Sequence, residues 1–362
     1  MSQLRWRSLH IDPPLVVFLF VLAGLGLFIL FSASNENTDI IVKQSLRLAL
    51  AFAVMFVFAY IPPKRYYQWA PWIYTIGLLL LVAVLFFGEV DKGARRWLDL
   101  GFLKFQPSEI MMLAMPMMIA RYLSDKQLPP KLTPLICSCL LLVIPVLLTA
   151  KQPDLGTAII IAASGFCALL LAGLSWRLIL SLIGIAAVSS PVVWHFMHQY
   201  QKERVLTFLN PERDPLGSGY HIIQSKIAIG SGGLFGKGWL QGTQSHLQFL
   251  PAHSTDFIFA VNGEELGFMG CILLLIVLLA VFARCLYISS QAQDTFTRIL
   301  SGSLSLTFII SAFINIGMVV GILPVVGVPL PLISYGGSSM VIIMAGFGMI
   351  MSIHTHRKLW SS

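Results

Sequence analysis

The chain has 362 residues, of which 57% are hydrophobic and 11% charged, with a mean hydropathy of +0.82. A soluble domain carries about 25% charged residues, so composition excludes an ordinary soluble enzyme, a disordered chain and a collagen-like one. At roughly 20 apolar residues per membrane span, it reads as one polytopic, all-α membrane domain over 1–362. Its net charge of +8 contains no basic run, which argues against a nucleic-acid partner.

The first apolar run, near 15–31, follows Arg5, Arg7 and His10 and precedes Ser32-Ala33-Ser34. It resembles a signal peptide with a small-x-small cleavage site, but it is long for one and many spans follow, so we read an uncleaved first helix. Further runs near 44–61, 72–88, 106–122, 132–150, 155–174, 177–197, 266–284, 298–320 and 336–353 give about ten transmembrane helices, with both termini on one side. The fourth contains Pro107, Ser108, Glu109 and Pro116. A proline leaves a carbonyl without its donor, which lipid does not tolerate unless protein or water covers it. This helix is therefore expected to line a cavity. A large loop at about 198–265, between helices 7 and 8, is too apolar for disorder, and 219–229 predicts a short interfacial or re-entrant helix.

Lysine and arginine asymmetry sets the orientation. With the N-terminus inside, only Asp12, Asp125 and Asp294 of the 16 acidic residues fall on the inner side. The raw count of basic residues ties, and leaving out the long loop breaks the tie in favour of cytoplasmic termini. Cys137, Cys139, Cys167, Cys271 and Cys285 all lie in or beside apolar runs and read as packing residues, with neither a disulfide framework nor a zinc spacing.

Four outer clusters hold groups that can do chemistry, and charges at membrane depth mark function by default. In His253-Ser254-Thr255-Asp256, followed by Glu264-Glu265, Asp256 stands where the loop re-enters an apolar segment. It reads either as a general base or as a helix N-cap. If 256–265 is helical, Asp256, Ala260 and Glu264 share a face. Residues 230–238 hold five glycines and Lys237, which suits either anion wrapping by backbone amides or a tight surface loop. Arg95-Arg96-Trp97 with Lys104, Gln106 and Glu109 suits phosphate oxygens or lipid headgroups equally. Lys151-Gln152-Pro153-Asp154 precedes a helix that Asp154 can cap through Gly156 or Thr157, and Gly336-Gly337-Ser338-Ser339 makes a further outward turn. Together they describe an outward polar cavity, suited to a flippase of a charged lipid or to an enzyme acting on a lipid-linked phosphorylated substrate. The acids lie at the outer boundary rather than mid-span, which tilts the reading toward an enzyme.

These motifs carry a resemblance. Ala94-Arg95-Arg96-Trp97, Phe105-Gln106-Pro107-Ser108-Glu109, Lys151-Gln152-Pro153-Asp154-Leu155-Gly156-Thr157, Asp214-Pro215-Leu216-Gly217-Ser218-Gly219-Tyr220, Gly236-Lys237-Gly238-Trp239 with Gly242-Thr243-Gln244-Ser245, Thr255-Asp256-Phe257-Ile258-Phe259-Ala260 and Ser334-Tyr335-Gly336-Gly337-Ser338-Ser339 stand in family order across nearly the whole chain. The sequence resembles the SEDS family (shape, elongation, division and sporulation), in its elongation branch rather than its division branch. The resemblance implies a bacterial inner-membrane peptidoglycan glycosyltransferase. Its substrate would be lipid II, its partner a class B penicillin-binding protein transpeptidase among other elongation-complex membrane proteins, and its active site would face the periplasm. It also places the family's essential aspartate at Asp256. A lipid II flippase or a non-catalytic scaffold is the alternative. Members of the family often carry a lysine three residues after the motif glutamate. Here that position is Met112, so Glu109 either pairs with another base such as Lys104 or Lys151 or acts on substrate.

Glycan polymerisation needs a base for the acceptor hydroxyl and positive charge for the departing pyrophosphate. Asp256 is the expected base. Arg95, Arg96, Lys151 and Lys237 are expected around the leaving group, with Arg47 at the outer edge. Glu109, Asp154 and Ser338 complete the expected substrate-binding set. A divalent cation on the pyrophosphate is an option near Asp154 or Glu109, although no ligand spacing demonstrates it. A lipid-open groove is expected between the Gly- and Pro-rich segments 230–238 and 324–337.

Overall fold

The computed structural model describes residues 10–91, 94–99, 104–197, 199–213, 217–247, 249–250 and 252–357; the side chains of Arg95 and Lys104 and residues 214–216 lie outside that description. The chain begins with three long helices, α1 (Pro13–Ala33), α2 (Thr38–Tyr60) and α3 (Pro63–Phe87). Each start has a local cause. The Asp12 carboxylate accepts from Leu15 N ahead of Pro13 at the first helical position, the Asn37 side chain accepts from Asp39 N and Ile40 N, and Pro63 opens α3 with its φ already set.

Between α3 and the next helix the all-α expectation needs a correction. Strands β1 (Glu89–Asp91), β2 (Ala94–Asp99) and β3 (Lys104–Phe105) form a small antiparallel sheet in that order, with Glu89 opposite Trp97 and Leu98 opposite Phe105. Cross-strand pairing of aromatic and aliphatic residues stabilises such a ribbon. It fixes the Arg96-Trp97 segment.

Helices α4 (Pro107–Ser124), α5 (Leu132–Lys151), α6 (Leu155–Leu171) and α7 (Trp176–Phe196) follow, with Asp154 capping α6 through Thr157 N at 3.3 Å. The stretch expected as one long loop is largely helical: α8 (Gln199–Leu209), a 3-10 turn at Pro211–Arg213, α9 (Ser218–Gly232), α10 (Thr243–His246) and α11 (Ile258–Glu265). Helix α9 contains the predicted short helix at 219–229. The chain closes with α12 (Gly267–Ser290), α13 (Thr295–Val320), opened by an Asp294–Thr297 capping box, and α14 (Ser338–Thr355). All ten predicted spans therefore fall on helices. Among the described residues, seven helices are long and apolar enough to cross a membrane: α1, α2, α3, α5, α12, α13 and α14.

Helix α13 is the most buried of these seven, and it carries hydroxyls into the core without leaving them unpaired. Ser301, Ser305, Thr307 and Ser311 each donate to the carbonyl four residues back at 2.6–2.8 Å. This back-bonding lets small polar residues sit at tight helix contacts in an apolar medium. Outward, large side chains such as Leu46, Leu79, Ile276 and Phe313 stay exposed, as a lipid-facing surface requires.

The two ends of the described chain meet. The His10 ring stacks on His356 with centroids 4.2 Å apart, and its Nδ1 lies 3.3 Å from Thr355 Oγ1. Beside them, Arg284 Nε and Nη2 donate to Asp12 Oδ1 and Oδ2 at 3.0 and 2.7 Å, and His354 Nε2 stands 3.4 Å from the same carboxylate. One buried aspartate thus caps α1 and ties it to α12 and α14. The sheet, α8–α11 and the 321–337 loop occupy the other end.

At that other end the glycine-rich segment makes a tight turn rather than an anion wrap. It packs backbone to backbone on the α11–α12 junction. Lys237 N and Gly238 N donate to Glu264 O and Glu265 O, each at 3.0 Å, while Phe268 N and Met269 N donate to Gly233 O and Leu234 O at 2.9 and 3.1 Å. The amides of 237 and 238 are therefore committed and cannot wrap an anion. Gly236 (φ +80°) and Gly267 (φ +66°) meet here, and a Cβ on Gly267 would lie 2.3 Å from Gly236 N. The same closeness explains Gly232 of α9, where a Cβ would stand 2.0 Å from Gly263 O in α11.

Two stability outcomes follow, each read as the thermal midpoint of the detergent-purified protein. Gly267→Ala combines a left-handed φ with a backbone clash and is expected to lower the midpoint strongly, whereas Gly24→Ala, with nothing within 4 Å and an ordinary helical backbone, is expected to hold or raise it. Asp12→Asn keeps an acceptor for Leu15 N but leaves Arg284 without its counter-charge. A loss of about 3 kcal/mol is expected, at the low end for a broken buried pair because the Arg284 side chain is 23% exposed. An unchanged midpoint would mean that the pair does not hold this end together.

Candidate active site

Helix α2 brings Gln44 and Arg47 to the end of the bundle opposite the termini. Gln44 is 1% exposed and bridges the 321–337 loop: its Nε2 donates to Ser334 O at 3.3 Å and its Oε1 accepts from Gly336 N at 3.4 Å. One turn on, the Arg47 guanidinium lies over the Tyr335 ring, 4.6 Å from its centroid. Strand β2 supplies Arg96, whose Nη2 donates to Pro153 O at 2.8 Å while its Nε is buried without a partner.

Three helices start here. Gln106 precedes α4, Asp154 precedes α6 and Gly337 precedes α14. Their dipoles point positive ends into one region and favour negative charge there. Asp154 is 5% exposed and both its oxygens are engaged, Oδ1 by Thr157 N and Oδ2 by the Gln106 amide. Glu109, in the first turn of α4, is 7% exposed. The Ser338 side chain reaches it, and its Oε2 has no partner. Among the described residues no basic side chain pairs with Glu109, so the pairing expected with Lys151 does not form. Lys151 is exposed at the end of α5.

Around these groups lie two cavities that share Gln106 and Glu109. The larger, about 610 Å³, has Arg47, Trp97 and Ser338 on its polar side and Leu50, Ile110, Val341 and Ile342 on its apolar side. The smaller, about 100 Å³, is lined by Arg96, Asp154, Thr157, Ser311 and Gly327. Proline-bearing α4 thus lines both, as expected from its sequence. A crevice bordered by Met112, Thr307 and Phe347 continues between α4, α13 and α14.

Asp256 stands at this edge. It lies in a turn before α11 rather than in the helix, and the N-cap position belongs to Phe257, so the capping alternative and the shared face with Glu264 both fall. Its Oδ2 is packed against Gly327, 3.6 Å from where a Cβ there would sit. Gly327 itself lines the smaller cavity, which brings Asp256 toward Arg96 and Glu109.

Lys237 is not brought into this arrangement. Its Nζ is held by Glu264 Oε1 at 2.7 Å and Thr243 Oγ1 at 2.8 Å, and it lines neither cavity. The Glu264 carboxylate is wholly buried and also accepts from Thr243 N and Gln244 N. The groove expected between 230–238 and 324–337 is therefore flanked only by the second segment. No group of three or more His, Cys, Asp or Glu able to hold a metal ion occurs among the described residues. Sequence reasoning missed Gln44 and Asn315, because a lone amide in an apolar run gives no signal until its long-range partner is known.

With the geometry in place, the chain's relatives can be compared. Residues 13–359 match the family model of the FtsW, RodA and SpoVE cell cycle proteins. The peptidoglycan glycosyltransferase MrdB of Escherichia coli (strain K12) is 52% identical over 357 residues, covering 98% of this chain and 96% of that protein. MrdB of Helicobacter pylori (strain J99) is 35% identical over 367 residues, covering 98% and 92%. Among solved structures, a chain from a peptidoglycan synthase complex that coordinates polymerization and crosslinking is 33% identical with a TM-score of 0.84, over 96% of this chain and 98% of that one. The Thermus thermophilus rod shape determining protein RodA is 28% identical with a TM-score of 0.73, over 96% and 98%. The family motifs run the length of the sequence, and sequence and fold agree over nearly all of it: the chain belongs to the SEDS family of FtsW, RodA and SpoVE cell cycle proteins.

Proposed function

We propose that this chain is a peptidoglycan glycosyltransferase that polymerises lipid II into glycan strands at the outer face of the bacterial inner membrane during elongation, with Asp256 as general base. Ten membrane spans, cytoplasmic termini and a periplasmic catalytic end complete the reading. The end where the termini meet is the one to which Lys64, Arg65, Arg121, Lys126 and Lys131 belong, since His10 packs on Tyr60, and Tyr67 and Gln68 bond to Asp125 and Arg121.

One observation carries the proposal. A single cavity of about 610 Å³ joins a guanidinium and buried polar groups to an aliphatic wall, with the Asp256 turn at the adjoining chamber. A lipid-linked pyrophosphoryl sugar needs that combination: charge for the headgroup and apolar surface where the tail leaves it. The acceptor sugar 4-hydroxyl attacks the anomeric carbon of the donor. A C–O bond forms, the hydroxyl proton passes to the Asp256 carboxylate, and the bond to pyrophosphate breaks with its electron pair on the leaving oxygen. Arg47 and Arg96 face that departing charge. Direct displacement by one base inverts the anomeric centre and needs no covalent intermediate. Lys237 is left out of this assignment because Glu264 already neutralises it. The partner is a class B penicillin-binding protein transpeptidase, in keeping with the similarity to a chain from a synthase complex that couples polymerization to crosslinking.

The complex with that transpeptidase, given labelled lipid II, is expected to yield a glycan ladder on a gel, which Asp256→Asn abolishes at equal folded yield. A ladder that survives Asp256→Asn moves the base elsewhere. No ladder from the intact wild-type complex favours a flippase or scaffold. Arg47→Ala is expected to lower kcat/KM about 10²-fold, as for loss of one well-placed charge partner. Arg47→Lys is expected to recover only part of this, because a point charge replaces neither the fork nor the stack on Tyr335. Equal activity of Arg47→Ala and wild type would remove Arg47 from the site.

A further inference from the structure

The turn that carries Asp256 has little regular structure of its own, yet three consecutive carbonyls in it are each taken by a donor from elsewhere. Ser254 O accepts from Tyr335 N at 2.9 Å, Thr255 O from Ser334 Oγ at 2.6 Å and Asp256 O from Asn315 Nδ2 at 2.9 Å. The first two donors belong to the 321–337 loop. The third is different. Asn315 lies on α13, is 0% exposed, and its Nδ2 also donates to Val328 O at 2.7 Å. Its two amide protons thus go to two separate segments, the Asp256 turn and the residue after Gly327. Gly327 is the residue against which the Asp256 carboxylate packs.

The other half of the amide makes no bond: Asn315 Oδ1 is buried without a partner. An orphaned buried acceptor is destabilising, and an apolar side chain of similar volume would avoid it. What such a side chain could not do is donate twice. The two donations satisfy two buried carbonyls and at the same time tie the Asp256 turn to the residue after Gly327.

Resting on the assignment of Asp256 as the base, we infer that Asn315 is a positioning residue for the reaction: its amide clamps the Asp256 backbone to the 327–328 corner and fixes where the carboxylate stands over the smaller cavity. Asn315 is not itself a lining residue of either cavity; it acts through the backbone it holds, the Asp256 turn and the Val328 corner that lines the smaller cavity. Displacement of a reacting group by about 1 Å can cost on the order of 10²-fold in rate.

The test uses the full-length protein in complex with its transpeptidase and labelled lipid II, measuring kcat, KM and thermal midpoint. Asn315→Leu removes both donors at similar volume and is expected to lower kcat about 30–100-fold with KM within about twofold. Asn315→Asp keeps the shape, loses the amide and is expected to behave alike; it stands in if Asn315→Leu does not fold. Ser305→Ala, another buried polar position on α13, bonded within its own helix and away from both cavities, is the packing control and is expected to leave kcat unchanged. Unchanged kcat in the Asn315 variants, a rise in KM alone, or an equal loss in Ser305→Ala overturns the inference. Failure of both Asn315 variants to fold assigns the amide to folding and overturns it too. Asp256→Asn, run beside them, separates the two claims: full activity there ends the assignment of the base, whereas its loss with intact Asn315 variants ends only the role of Asn315.

Discussion

Backbone that is not helical has no water to turn to inside a membrane protein, and at the end of this bundle opposite the termini a stretch of it, 328 and 330–334, is buried. The 321–337 loop leaves α13 after Val320 and reaches α14 at Ser338 without a helix of its own. Its carbonyls and amides are met by side chains instead. Gln44 takes Ser334 O and Gly336 N, Asn315 takes Val328 O, and Ser334 Oγ accepts from Leu330 N at 2.8 Å while donating to Thr255 O. Each unsatisfied backbone group in such surroundings costs several kcal/mol, so these few polar side chains determine whether the loop can exist there. The Asp256 turn, the floor of the smaller cavity and the start of α14 all hang from it.

A second solution to the same constraint appears a few residues away. The glycine-rich segment satisfies the α11–α12 junction with its own main chain, which requires approaches that no Cβ would allow at Gly236 and Gly267. Lys237 then neutralises the buried Glu264 carboxylate, while Thr243 and Gln244 amides fill its other acceptor sites. This corner closes around the Glu264 carboxylate, whose acceptor sites are taken by Lys237, Thr243 and Gln244 N. The neighbouring corner at Arg96 and Glu109 is open: Arg96 Nε and Glu109 Oε2 are both buried and unpaired beside a cavity. That contrast separates the scaffold from the site.

The cavity also sorts by chemistry along one helix. Helix α4 begins beside Gln106 and Glu109, in the polar chamber, and continues past Met112 into an apolar crevice shared with α13 and α14. On the proposed function, that one helix serves both headgroup and tail.

Much of this was legible in the sequence. The positions of the ten long helices, the cap at Asp154 and the cavity-lining character of α4 all follow from apolar period, helix-start chemistry and the intolerance of lipid for unpaired polar groups. These are local or solvent-imposed rules, and a chain obeys them segment by segment. Only the tertiary structure decided that Lys237 belongs to Glu264, that the 230–238 glycines are a packing surface, that Arg96 sits on a small sheet, and that Gln44 and Asn315 hold the loop and the turn. The Lys237–Glu264, Asn315–Asp256 and Gln44–Ser334 pairings join residues 27, 59 and 290 positions apart. A polar side chain in an apolar run announces that it must find a partner, and which partner it finds depends on the packing of helices that its own neighbourhood in the sequence does not encode.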